Sequence, residues 1–95
     1  MEKNMLSWEI RATGRVQGVG YRRFVQICAR RCQITGWVSN QYDGSVLIAA
    51  TGEQDDLELF CELLRAKRGF IDVRQLEFRE QSETVEYDEF TIRYN

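Results

Sequence analysis

The chain has 95 residues, of which 43% are hydrophobic and 12% aromatic, and 13 basic and 15 acidic side chains give it a net charge of −2. This size predicts a single domain over residues 1–95 with a small hydrophobic core. A protein that binds duplex nucleic acid normally carries a basic excess, so that class is disfavoured. No apolar run is long enough for a secretory leader or a membrane span, and we therefore expect a cytoplasmic protein with neither a membrane nor a nucleic-acid partner.

The reactive side chains are few. The chain has no histidine and three cysteines, Cys28, Cys32 and Cys61. Ser–His and Cys–His nucleophile pairs and histidine-based metal sites are therefore excluded, and no metal site is predicted. The cysteines fall in apolar helical patterns, which favours buried thiols over a disulfide framework. An enzyme with this composition must work mainly by binding and positioning its substrate.

The first half of the chain contains three strands and a helix. Residues 6–13 alternate apolar and polar side chains, which predicts a half-buried strand. Helical spacing of apolar side chains follows over residues 21–32. Two β-rich runs, residues 34–39 and 45–50, flank an Asp43-Gly44 pair and predict a hairpin that turns there.

The second half predicts one helix and two strands. Gly52 is expected to break the strand, and the helix is expected to start at Glu53 or Asp55 and to end at Lys67-Arg68-Gly69. A strand follows through residues 73–78, with a bulge or a late start near residues 74 and 75, and a last strand through residues 90–94. The order βαββαβ plus a C-terminal strand is that of an α+β ferredoxin-like split βαβ sandwich, an antiparallel sheet with two helices on one face.

The most informative motif is GRVQGVGYR, residues 14–22, which joins the first strand to the first helix. Glycines allow the backbone to curl around an anion, and unpaired amides at a helix start point towards it. An arginine at the end of the loop offers a planar fork that matches phosphate oxygens. The motif therefore predicts a phosphate cradle, although by itself it is also compatible with a tight βα turn.

A second motif, GWVSNQYDGSV at residues 36–46, makes the chain resemble the acylphosphatases, and the ending YDEFTIRY at residues 87–94 resembles the closing strand of that family. The resemblance implies that a small-molecule acyl phosphate is hydrolysed to a carboxylate and inorganic phosphate, with phosphate as product and competitor and without metal or cofactor. It assigns phosphate binding to Arg22 and the positioning of the attacking water to Asn40. The loop amides that would hold the phosphate are those of Gln17, Gly18, Val19, Gly20, Tyr21 and Arg22. A carboxylate leaves without a general acid, which suits a histidine-free site. We expect the protein to be a monomer.

Two other functions remain open from the residues alone. GVGYRRFV superficially resembles the signature of an RNA-binding module of the same fold, although here it lies at a loop–helix junction. A non-catalytic module could keep the cradle only to bind a phosphate-bearing ligand. Arg23 is expected to face solvent, and Trp37 to belong to the core or a pocket wall. Gln33 stands where the family often has a glycine that ends the helix, so either a strained helix end or a different cap is expected there.

Overall fold

The computed structural model describes residues 4–94. Eight elements follow one another: β1 (Met5–Arg15), α1 (Tyr21–Arg31), β2 (Thr35–Asn40), β3 (Val46–Glu53), α2 (Gln54–Leu64), β4 (Lys67–Arg68), β5 (Ile71–Glu80) and β6 (Phe90–Arg93). The strands form one sheet in the order β4-β5-β1-β3-β2-β6. The ferredoxin-like fold predicted from the element order is confirmed.

The core lies between the sheet and the two helices. Ile10 of β1 faces Ile48 of β3, and both side chains are fully buried. Their neighbours one residue away, such as Glu9, lie on the opposite, more open face of the sheet, as strand geometry requires. From α2, Leu57 and Phe60 complete the core. Ile10 belongs to the same core, so the apolar face of β1 was predicted correctly.

The expected bulge lies where β5 pairs with β1. Thr13 faces Gln75, but the next residue, Gly14, faces Val73, which leaves Arg74 as the extra residue. Gly14 has a φ of 118°, and a Cβ there would lie 2.3 Å from the carbonyl oxygen of Asp72. A glycine is therefore required at the point where the first strand bends into the cradle loop.

Three sequence expectations about the sheet and α2 are wrong. The sheet is not wholly antiparallel, because β6 pairs in parallel with β2 at one edge. Gly52 does not break β3 but lies within it. A Cβ at this position would come 2.5 Å from Cδ1 of Ile34, so a glycine is needed here for packing and not to end the strand. The helix α2 ends at Leu64 rather than at Lys67-Gly69, because residues 67–68 pair with β5 as β4 and Gly69, with a φ of 56°, forms their turn.

Gln33 ends α1 in the manner of a glycine. It has a φ of 59°, the left-handed region that non-glycine residues rarely adopt. The amide of Ile34 donates to the carbonyl of Ala29 at 2.8 Å and the amide of Gln33 to that of Arg30 at 3.4 Å, the two hydrogen bonds of a Schellman cap. The expectation of a different cap is therefore wrong, because the hydrogen bonds are conventional, and what is unusual is a glutamine in the left-handed conformation.

The three cysteines are buried as free thiols, as expected. Within residues 4–94, neither helix is long and apolar enough to cross a membrane.

Candidate active site

The cradle loop runs from Val16 to Gly20, between β1 and α1. Val16 is buried and anchors the loop in the core. Gly18 and Gly20 adopt φ angles of 73° and 84°, and a Cβ on either would meet no atom within 4 Å. Glycine is favoured at both positions by the backbone conformation, and the space beside them is open to a ligand.

The first turn of α1 is suited to bind an anion. Gly20 is its N-cap, no side chain caps this helix end, and no acidic residue lies in the first turn. The amides of this turn therefore lack the side-chain oxygen that usually accepts their hydrogen bonds. Together with the helix dipole, they offer donors and partial positive charge to a phosphate.

A cavity of about 210 Å³ lies over this helix start. It brings Gly18, Gly20, Tyr21 and Arg22 together with Asn40, which is 18 residues further along the chain and ends β2. The residues that line it are Val16, Gly18, Gly20, Tyr21, Arg22, Arg23, Asn40, Ile92 and Tyr94. Of the predicted phosphate-binding positions, Gln17 and Val19 do not line the cavity.

Arg22 is held by the C-terminal strand. Its Nη1 donates to the carbonyl of Arg93 at 2.9 Å, and its guanidinium carbon lies 4.8 Å from the ring centroid of Tyr94. Only one of its five N–H donors is used in that hydrogen bond, so the rest of the fork remains for an anion. Arg23 is exposed, as expected, although it contributes to the rim of the cavity. The contribution of residues 93 and 94 was not predicted from the sequence.

Gln17 has a second contribution that the motif did not indicate. Its Nε2 donates to the carbonyls of Gln41 and Ser45, each at 2.8 Å. These residues begin and end the connection between β2 and β3, directly after Asn40. The side chain of Gln17 therefore ties the cradle loop to the turn that follows the asparagine.

Arg11 holds the same turn from the open face of the sheet. Its Nη1 donates to Oγ of Ser45 at 2.6 Å and lies 3.5 Å from a carboxylate oxygen of Asp43. The hydroxyl of Ser45 in turn donates to Asp43 at 2.6 Å. Hydrogen bonds from Ser45, with a smaller contribution from the charge of Arg11, hold the pKa of the Asp43 carboxyl below its usual value. Arg11 follows ordinary strand alternation, so nothing in the sequence set it apart.

The side chain of Tyr21 points away from solvent and joins the two helices. It is 1% exposed, and the hydroxyl donates to the carbonyl of Leu64 at 2.9 Å, where α2 ends. Burial raises the pKa of the phenol above its usual value. The tyrosine thus joins the start of α1 to the end of α2.

Trp37 is half-buried, and the guanidinium carbon of Arg93 lies 4.1 Å from its ring centroid. It faces a smaller cavity on the open side of the sheet, beside Tyr87, and not the cradle. In the part of the chain that the structure describes, no group of histidine, cysteine or acidic side chains is arranged to hold a metal ion.

Comparisons with known proteins agree with this architecture. The acylphosphatase family profile matches residues 8–92. The chain is 41% identical over 90 residues to the acylphosphatase of Bacillus velezensis, covering 95% of this chain and 100% of the relative, and 45% identical over 82 residues to that of Methanospirillum hungatei, covering 85% and 89%. The crystal structure of the Bacillus subtilis acylphosphatase superposes with a TM-score of 0.89 at 37% identity, covering 94% of this chain and 99% of that one. The family predicted from the two motifs is therefore confirmed, and the chain belongs to the acylphosphatases.

Proposed function

We propose that the chain hydrolyses acyl phosphates in the 210 Å³ cavity at the start of α1. The phosphate is bound by the guanidinium of Arg22 and by the loop amides from Gln17 to Arg22, of which those of residues 18, 20, 21 and 22 belong to cavity-lining residues, and Asn40 positions the attacking water. One observation carries this proposal: Gly18, Gly20, Arg22 and Asn40, from the two separate motifs, line one cavity.

Phosphoryl transfer suits a site whose hydrogen-bond donors are held in place before the substrate binds. Phosphoryl transfer requires stabilisation of charge on the equatorial oxygens and a nucleophile in line with the leaving group. The amides and Arg22 provide the first, and the carboxamide of Asn40 can accept from or donate to a water. The water oxygen bonds to phosphorus as the bond from phosphorus to the acyl oxygen breaks. The carboxylate departs without a proton, and a phosphate oxygen takes the proton of the water.

The test is hydrolysis of benzoyl phosphate in the presence of a chelator, with inorganic phosphate as a competitor. Asn40→Ala should abolish turnover while the inhibition constant of phosphate changes little, because the asparagine acts on the water. Arg22→Ala should weaken phosphate inhibition as well as turnover. Arg30→Ala, at an exposed arginine in the last turn of the same helix, is the matched control and should do neither. Near-normal turnover in Asn40→Ala would exclude its assigned role, and no hydrolysis by the folded parent would exclude the enzyme.

The same proposal includes the setting of the reaction. One domain over residues 1–95 acts as a monomer on a small-molecule acyl phosphate in the cytoplasm, without nucleic acid or membrane. The chain's net charge of −2 supports the absence of a nucleic-acid partner. Sedimentation at working concentration tests the monomer, because β6 lies at an edge of the sheet from which a second copy could extend it.

A further inference from the structure

A groove of about 770 Å³ runs between α1 and the segment from the end of α2 to the start of β5. Gly20 and Arg23 line both this groove and the cradle cavity. The two spaces therefore meet at the first turn of α1, where the phosphate is proposed to bind.

The floor of the groove is apolar. It includes Phe24 and Ile27 of α1, Leu63 of α2 and Ile71 at the start of β5. Ile27 is 42% exposed and Leu63 is 40% exposed, although each belongs to a helix that packs against the core. Large apolar side chains left open on two facing elements form a concave surface that suits an apolar ligand group.

The rim of the groove is strongly basic. Among the described residues that line it, one is acidic, Glu62, and four are cationic: Arg23, Arg31, Lys67 and Arg68. This excess stands out in a chain whose net charge is −2. The guanidinium carbon of Arg68 lies 5.3 Å from the ring centroid of Phe24, so a cation lies directly above the apolar floor.

We propose that this groove binds the acyl group of the substrate and favours acyl groups with an apolar body that ends in a second anionic group, such as a carboxylate. This rests on the proposed function, because a phosphate in the cradle is what directs the acyl group towards Gly20 and Arg23. From Gly20 to Arg31 the helix rises about 16 Å, which gives room for an acyl group of several carbon atoms. Asn40 lines the cradle but not the groove, so water and leaving group meet the phosphate at different walls, as in-line displacement requires.

The test compares kcat/KM for three substrates: acetyl phosphate, benzoyl phosphate and 4-carboxybenzoyl phosphate. The parent should prefer the carboxylated ring over the plain ring by about two- to fivefold, the range of an exposed ion pair. Arg68→Gln should reduce that preference. Arg65→Gln is the matched control, since Arg65 is exposed, lies three residues earlier and does not line the groove.

The apolar floor is tested separately. Leu63→Ser should lower kcat/KM for both aromatic substrates relative to acetyl phosphate by about threefold, through the loss of apolar contact. Leu59→Ser, at a residue of the same helix that is 54% exposed and outside the groove, should leave the ratio unchanged.

Binding provides a measurement that does not depend on turnover. By calorimetry, the parent should bind 4-carboxybenzylphosphonate more tightly than benzylphosphonate, and Arg68→Gln should reduce this difference in affinity. Equal affinities in the parent would overturn the groove's preference. If the phosphonate preference is present but none of the three acyl phosphates is hydrolysed, the ligand class stands and the hydrolytic function fails.

Discussion

Gln17→Met isolates the contribution of the side chain that joins the cradle to the turn after Asn40. Methionine has a similar length and no branch, and it keeps the backbone amide that we propose to bind the phosphate. It removes only the two hydrogen bonds from Nε2 to the carbonyls of Gln41 and Ser45, each 2.8 Å long. The variant therefore separates the side chain of Gln17 from its amide.

The magnitude follows from these two hydrogen bonds. A typical hydrogen bond contributes about 1 kcal/mol, so their loss should lower the free energy of unfolding by about 2 kcal/mol. In urea this corresponds to a fall in the midpoint of about 1 to 2 M for a chain of this size. The carbonyl of Ser45 still accepts from the amide of Gln41 at 2.9 Å, which limits the loss.

Catalysis should respond more than phosphate binding. If the turn loosens, the carboxamide of Asn40 and its water shift relative to the phosphate, and displacements of about 1 Å can cost about a hundredfold in rate. We expect kcat to fall about ten- to a hundredfold, while the inhibition constant of phosphate stays within about threefold because the amides and Arg22 remain. Gln54→Met, at an exposed glutamine, is the matched control. Unchanged stability and unchanged kcat in Gln17→Met would refute the proposal that this side chain ties the cradle loop to the turn after Asn40.

Three further variants test neighbouring contacts. Tyr21→Phe should destabilise the fold by about 1 to 2 kcal/mol in thermal unfolding, because it leaves the buried carbonyl of Leu64 without its donor, yet keep kcat in the folded protein. Gly20→Ala should cost about 1 kcal/mol in urea, since alanine resists a φ of 84° even where its Cβ has room, and phosphate inhibition should weaken. Asp43 has a lowered pKa, so its charged form stabilises the fold above about pH 4 and this contribution fades as the pH falls through the folded-state pKa. The stability advantage of the parent over Asp43→Asn should therefore shrink on acidification, and an advantage that grows instead would contradict the hydrogen bonds from Ser45.

The sequence predicted the parts of the fold that depend on local pattern. Alternation along β1 and helical spacing along α1 placed these elements to within about two residues, because each buries a single face. It failed where tertiary packing overrides local signals. Gly52 resembles a strand breaker, yet it is needed within β3 because Ile34 packs against its Cα. The basic residues after α2 resemble a helix end, yet Lys67 and Arg68 pair with β5.

The candidate site was also predictable only in part. Glycine and arginine at a helix start have a direct physical reason, so the first motif indicated the loop, and the resemblance to the acylphosphatases singled out Arg22 and Asn40. The side chains that hold them in place carried no such signal. Arg11 and Gln17 each form a hydrogen bond with Ser45, which lies 34 residues after the first and 28 after the second. Contacts between residues so far apart in the chain depend on the register of the sheet.

The orientation of Arg22 depends on the one strand whose pairing was predicted incorrectly. The guanidinium donates to Arg93, and β6 reaches this position because it pairs in parallel with β2, with Ser39 opposite Arg93. That register brings the last strand beside Asn40, the residue that follows Ser39. An antiparallel β6 would run past β2 in the opposite direction and carry residue 93 away from the cradle. The parallel edge strand is therefore what allows one cavity to be lined by an arginine from α1, an asparagine from β2 and the two neighbours of Arg93, Ile92 and Tyr94, while the carbonyl of Arg93 holds the arginine in place.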